Sequence, residues 1–197
     1  MKKNESHIMF KNKYLTILLL SVFLFSCGQR GNNQQTVTAV DYNLLVAARI
    51  QELTEENNLS TLQNQKVFWG NDTVNTYMLS DFAAQQILFF YFSNNTCPPC
   101  IEQSVKTISN HIPDYTTNSK VIFISPDCMP RFRENQYGKR VLGLVNEKLG
   151  LKLEEEYVPF FFTLNKDMEI NDLHVVNKND FSRTSEYLRK LTPKLQL

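Results

Sequence analysis

The sequence predicts an α/β domain built on a central mixed β-sheet flanked by helices, with several short segments ahead of it. Three observations carry this expectation. Ile87–Phe92 and Val121–Ile124 are continuous apolar runs of strand length, the pattern of strands covered on both faces. Stretches with helical spacing follow each of them. Towards the C-terminus, Phe160–Leu164 and Glu169–Val176 read as two strands around an Asn165–Asp167 turn, and a last helix follows. The order strand–helix–strand–helix–strand–strand–helix calls for a mixed sheet with helices on both faces.

The chain of 197 residues has room for one domain and a small extension. It is 42% hydrophobic and 21% charged, with a net charge of +1. That balance gives no basic surface for a nucleic acid, and none is expected as a partner. Residues 1–26 differ in kind from the rest. Lys2, Lys3, Lys11 and Lys13 form a basic start, and the 12 residues Tyr14–Phe25 form an apolar run too short to span a bilayer comfortably. This is the layout of a secretory signal. It ends at Leu24-Phe25-Ser26-Cys27, which resembles a bacterial lipobox and implies lipidation and cleavage at Cys27. An uncleaved anchor and a plain signal peptide are the other readings, and both still export the domain. Without residues 1–26, which hold four lysines and one glutamate, the net charge falls from +1 to −2.

Residues 27–40 are polar and aperiodic and read as a flexible tether. No acidic residue follows Cys27 directly, which by analogy with lipoprotein sorting favours the periplasm-facing leaflet of the outer membrane. Residues 41–64 form a helical extension: Asp41 caps a helix to about Asn57, with Tyr42, Val46, Ile50 and Leu53 at helical spacing. The domain proper takes 65–197. Val67-Phe68-Trp69, a turn at Gly70-Asn71-Asp72, and Val74–Leu79 read as a β-hairpin. A helix runs from Pro98-Pro99 to His111, stopped before Pro113. Arg131–Leu149 reads as a further helix with Val141, Leu142, Val145 and Leu149 on one side and Gly150 as its stop. Asn179 or Asp180 caps the last helix, whose stripe is Phe181, Thr184, Leu188 and Leu191.

The chemistry centres on Cys97-Pro98-Pro99-Cys100, where a buried strand gives way to a helix. Two cysteines on a first helical turn close a disulfide with little backbone movement. The unsatisfied N–H groups and positive end of the helix favour a thiolate there. Cys97 at the tip is the expected attacking thiol, and Cys100, within the first turn, the resolving one. Both prolines suit a helix start, where an N–H would be unpaired anyway. They also remove two donors to the thiolate.

Residues 65–197 resemble the TlpA/ResA-like family of membrane-tethered thiol–disulfide oxidoreductases with a thioredoxin-like fold. The likeness lies in Leu79-Ser80-Asp81-Phe82, Phe92–Cys100, Val158-Pro159-Phe160-Phe161-Phe162 and Asn165-Lys166-Asp167. It implies reduction of disulfides in exported proteins in the cell envelope, with re-reduction by an inner-membrane thiol donor and no cofactor. It also implies a substrate groove lined by Pro98, Pro99, Val158 and Pro159. Pro159 would be cis and would face the cysteines, and the Val158 backbone would pair with substrate. An ordinary trans proline opening an edge strand is the other reading. Two departures stand out. Thr96 replaces the usual aromatic before the first cysteine, and Tyr91 stands where thioredoxins carry a buried aspartate, leaving the proton acceptor for Cys100 unassigned.

Cys128 follows the strand Val121–Ile124, which should end at the same sheet edge as the strand feeding Cys97. It is either a third redox thiol or a small buried hydrophobe. A zinc site is disfavoured: Cys97, Cys100, Cys128, His111 and His174 contain no second close pair, and a metal knuckle needs N–H groups that prolines lack. A thiol peroxidase remains an alternative, with Arg131 and Arg133 available. So does a non-enzymatic peptide-binding lipoprotein whose disulfide is structural.

Overall fold

The computed structural model describes residues 41–83 and 85–195; the expected signal segment 1–26, lipidation site Cys27 and tether 27–40 lie outside them. Helix α1 (Tyr42–Asn57) begins directly after Asp41. Its second half packs most closely: Leu53 is buried and Ile50 reaches the core, while Val46 and Ala47 are half-buried and Tyr42 is exposed. The Asn57 amide closes the helix by donating to the Leu53 carbonyl at 2.7 Å. No helix among the described residues is long and apolar enough to cross a membrane.

Strands β1 (Lys66–Trp69) and β2 (Thr76–Met78) form the expected antiparallel hairpin, with Gly70 at φ +57° opening its turn. A short helix α2 (Ser80–Ala83) leads to β3 (Leu88–Tyr91), then helix α3 (Pro98–His111) and β4 (Val121–Ser125). After α4 (Pro130–Arg133) come β5 (Val141–Leu144), a 3-10 turn at Lys152–Glu156, β6 (Phe160–Leu164), β7 (Ile170–Val175) and α5 (Phe181–Leu191). The seven strands form one sheet in the order β2-β1-β5-β4-β3-β6-β7. Strands β3, β4 and β5 are parallel; β6 is antiparallel to both β3 and β7. A parallel β-α-β unit joined to an antiparallel β-β-α unit is the thioredoxin-like arrangement.

The expected helix over 131–149 is not there. Only Pro130–Arg133 is helical, and Val141–Leu144 is a strand buried on both faces. Apolar residues at 141, 142 and 145 fit a helix face, but adjacent buried residues also fit a two-faced strand. Gly143 settles the choice physically: a Cβ there would come 2.4 Å from the Phe68 ring, so the glycine admits the close approach of β1. Gly150 sits at φ +90° in a loop and ends no helix.

Side chains alternate between two cores. Phe89, Tyr91, Ile122, Ile124, Phe160 and Phe162 face α1, α2 and the 3-10 turn. Leu88, Phe90, Phe123 and Phe161 face α3 and α5, where Ile101, Val105, Ile108, Leu188 and Leu191 meet them. Between β3 and β6 three aromatic pairs stack in register: Phe89 on Phe162 at 4.9 Å, Phe90 on Phe161 at 4.7 Å, and Tyr91 on Phe160 at 4.4 Å. Each such pair contributes roughly 0.5–1.5 kcal/mol beyond its buried area. A one-residue slip would send every ring to the wrong core, so this ladder holds the start of β6 beside the end of β3.

Candidate active site

The site is built where β3 leaves the sheet. Ser93–Thr96 form a tight turn: Thr96 N–H donates to the Ser93 carbonyl at 3.0 Å, and Ser93 N–H donates to Thr96 Oγ1 at 3.0 Å. The two hydroxyls lie 3.2 Å apart and both residues are buried. Thr96, which stands in place of an aromatic, therefore works as the internal pin of the turn. Asn94 ties this turn to the loop after β4: its N–H donates to the Asp127 carboxylate at 2.8 Å, and its amide donates to the Asp127 carbonyl. Two loops leaving parallel neighbours are thus joined at one sheet edge.

Cys97 is the N-cap of α3 and is exposed, with Pro98 and Pro99 in the first turn. Its carbonyl accepts from Cys100 N–H at 3.0 Å and Ile101 N–H at 3.2 Å. Cys100 is 6% exposed, and both thiols are free. Burial pushes the Cys100 thiol up to about 12, and its hydrogen bond to Cys97 and the charge of Cys97 add to the shift; the nearby Lys178 ammonium opposes it. An exposed thiol at a helix tip with a buried, proton-retaining thiol behind it divides the labour as attacking and resolving groups.

Val158 and Pro159 open β6 next to this edge, because Phe160 pairs with Tyr91. Val158 is half-buried and Pro159 buried. The expected cis bond before Pro159 is absent: the described residues contain no cis peptide bond. Tyr157 stands at φ +52°, and two residues later Pro159 enters the strand in the ordinary trans form. Its carbonyl accepts from Val176 N–H at 3.0 Å, which joins it to the exit of β7.

Cys128 does lie on this edge, since β3 and β4 are parallel. Its side chain is only 4% exposed, in the apolar cluster with Phe92, Ile101 and Val105, and burial raises its pKa. Arg133 donates to the Cys128 carbonyl at 2.6 Å and covers the Phe68 ring, while Arg131 covers Phe132. No group of three or more His, Cys, Asp or Glu gathers in metal-holding geometry among the described residues.

Two features were not read from the sequence. Tyr91 carries no acid itself, but Glu154 comes to it from the 3-10 turn. The Glu154 carboxylate is buried and accepts from the backbone N–H of Leu149, Gly150 and Leu151 at 2.8–2.9 Å. Burial raises the Tyr91 phenol, and the charge of Glu154 and a hydrogen bond to it keep the proton on further. Lys178, after β7, is the second. Neither has a local signal, since each depends on which loops share an edge.

The site is thus a dithiol on a thioredoxin-like fold. The sequence matches no protein-family model and no curated protein. Solved structures similar to the chain include a thioredoxin-like protein from Porphyromonas gingivalis (15% identity, 70% of this chain and 95% of that one, TM-score 0.47). A candidate thiol:disulfide interchange protein DsbE from Chlorobium tepidum aligns at 13% identity over 68% of this chain and 99% of that one, TM-score 0.42. The mitochondrial 2-Cys peroxiredoxin of Plasmodium falciparum aligns at 12% identity over 71% and 94%, TM-score 0.38.

Proposed function

We propose that this chain is a thiol–disulfide oxidoreductase of the cell envelope that reduces disulfides in exported proteins through Cys97 and Cys100. One observation carries the reading: Cys97 is exposed at the tip of α3 while Cys100 is buried one turn behind it. The Cys97 thiolate attacks a substrate disulfide, forming a mixed disulfide and expelling one substrate sulfur as a thiolate that takes a proton from water. The Cys100 thiol then loses its proton to solvent or to the departing sulfur and attacks Cys97 Sγ. The Cys97–substrate bond breaks, the second substrate thiol leaves, and Cys97 and Cys100 are left as a disulfide. Two electrons have passed from the dithiol to the substrate.

Met129 and Phe132, at the start of and within α4, and Tyr157, ahead of β6, are exposed apolar side chains. They suit an extended protein segment better than a small polar oxidant. A lipid on Cys27 and a tether over 27–40 would hold the domain at the periplasmic face of the outer membrane, and an inner-membrane thiol carrier would restore the dithiol. Pro98, Pro99, Val158 and Pro159 would line the groove.

Turnover of a disulfide-bearing protein substrate with dithiothreitol as electron source tests the reading. The wild-type chain should accelerate reduction. Cys100→Ser, mixed with substrate in the absence of dithiothreitol, should trap the substrate covalently on Cys97, and Cys97→Ser should be inert. Turnover by Cys97→Ser equal to wild type would overturn the assignment.

A further inference from the structure

Strands β3 and β7 run in the same direction, because each is antiparallel to β6. Their exits therefore share one edge of the sheet, in register: Tyr91 pairs with Phe160, and Phe160 with Val175. Cys97 lies six residues beyond Tyr91 and Lys178 three beyond Val175. Helices α3 and α5 then start from that edge and pack over the same face of the sheet. Among the described residues β6 is the strand between the two exits, and Pro159 directly precedes it there.

The loop carrying Lys178 is held on both sides. Val176 N–H donates to the Pro159 carbonyl at 3.0 Å. Asn177 is buried, accepts from Asn179 N–H at 2.9 Å through its side chain, and accepts from Asp180 N–H at 3.0 Å through its carbonyl. Asp180 in turn caps α5, accepting from Ser182 N–H at 3.1 Å. Lys178 itself is exposed and makes no ion pair among the described residues. Its charge is available.

Resting on the oxidoreductase reading, we propose that Lys178 is an electrostatic positioning residue for the resolving step, stabilising the thiolate that Cys100 becomes when it attacks the mixed disulfide. Most other charged groups of the elements around the dithiol are already engaged, and the few that are not are exposed as Lys178 is. From the β4–α4 loop, Asp127 is bound by Asn94, Arg133 by the Cys128 carbonyl, and Arg131 rests on Phe132. From the segment before β6, Glu154 is held by three N–H groups and Glu156 by Arg49; Glu155 is exposed. From α5, Arg183 pairs with Asp180 at 3.2 Å. From α3, Glu102 and Lys106 are exposed. Lys178 is also the cation whose charge acts on the Cys100 thiol.

In the step itself, Cys100 S–H gives its proton to solvent or to the departing thiolate, and its sulfur bonds to Cys97 Sγ. The Cys97–substrate bond breaks with its electron pair going to the substrate sulfur, which is then protonated. A cation near Cys100 lowers the cost of the first event and leaves the initial attack by Cys97 much less affected.

The test uses the full chain in detergent and the uncharged disulfide 2,2′-dithiodipyridine, so that probe charge plays no part. Substoichiometric probe releases one thiopyridone when Cys97 attacks and a second when Cys100 resolves. Lys178→Ala should slow the second release about three- to tenfold and move its pH midpoint upward, with little change in the first. Lys178→Glu should slow it further, and Lys178→Arg should restore it. Equal second-phase rates and pH midpoints across the variants would overturn the role of Lys178 and leave the oxidoreductase reading intact. A wild-type chain that releases only one thiopyridone per probe molecule consumed would instead overturn that reading.

Discussion

Tyr91 and Phe160 face each other across β3 and β6 with their rings stacked 4.4 Å apart, and this pair sets the neighbourhood of the dithiol. Tyr91 is the last residue of the strand that leads to Cys97, and Phe160 follows Pro159 directly. The phenol continues to the buried Glu154 carboxylate, so one contact line joins the cysteine loop, the start of β6 and the 3-10 turn. Replacing Glu154 by Ala leaves the buried N–H groups of Leu149 and Leu151 unpaired and should cost about 2 kcal/mol or more, since each such loss is worth roughly 1–3 kcal/mol. Tyr91→Phe should cost about 1 kcal/mol, because only one hydrogen bond goes. Urea unfolding of the two variants checks the ranking; Tyr91→Phe as damaging as Glu154→Ala would contradict it.

The two thiols should differ in their response to pH. The Cys100 thiol is held up to about 12, against 9.0 for an unperturbed one. Alkylation of the folded, reduced protein at pH 8 should therefore mark Cys97 and spare Cys100, as peptide mass mapping would show. The sign for stability follows. Between pH 9 and 12 the unfolded chain has shed this proton and the folded chain has not, so stability present below pH 9 declines as pH rises through that window.

His174 should make the protein acid-sensitive. Its ring lies on Tyr187 at 4.7 Å and shares a hydrogen bond with Thr184 Oγ1 at 3.0 Å. Burial, helped by the charge of Arg183, lowers it from 6.5 to about 4. Between those values the unfolded chain binds a proton that the folded chain refuses. The contribution is complete above pH 6.5 and is lost as pH falls through 4, amounting to roughly 3 kcal/mol. Urea midpoints at pH 7, 5 and 4 should fall steeply for the wild type and less steeply for His174→Gln. Parallel pH curves for the two would contradict the assignment.

Gly143 tests the strand that replaces the expected helix. Gly143→Ala places a Cβ into the Phe68 ring and should cost about 1–3 kcal/mol by overpacking. In a helix the same change would stabilise by up to about 1 kcal/mol. The sign of the change in thermal midpoint distinguishes them.

What the sequence made legible, and what it did not, follows from the range of the forces involved. Strand β3 and helix α3 could be read because their signals are local: an unbroken apolar run, two prolines at a helix start, and Pro113 after its end. The same locality placed Cys97 outside and Cys100 inside. Strand β5 was misread because Val141-Leu142-Gly143-Leu144 is apolar at both helical and strand spacing, and only the Phe68 ring across the sheet decides. The left-handed turn at Tyr157 ahead of Pro159 falls on a bulky residue with no local preference for that conformation. Glu154 and Lys178 come to the site through tertiary pairing of loops far apart in sequence. No window of residues contains that information.

The most direct test of the central claim is an equilibrium redox titration of the full chain, read by thiol alkylation and intact mass. One two-electron transition confined to Cys97 and Cys100, with Cys128 unaffected, is expected near the thioredoxin-like value of about −270 mV. A transition near about −120 mV would contradict the reductase direction and make the protein a disulfide-forming oxidant. The absence of any Cys97–Cys100 transition would contradict the dithiol chemistry itself.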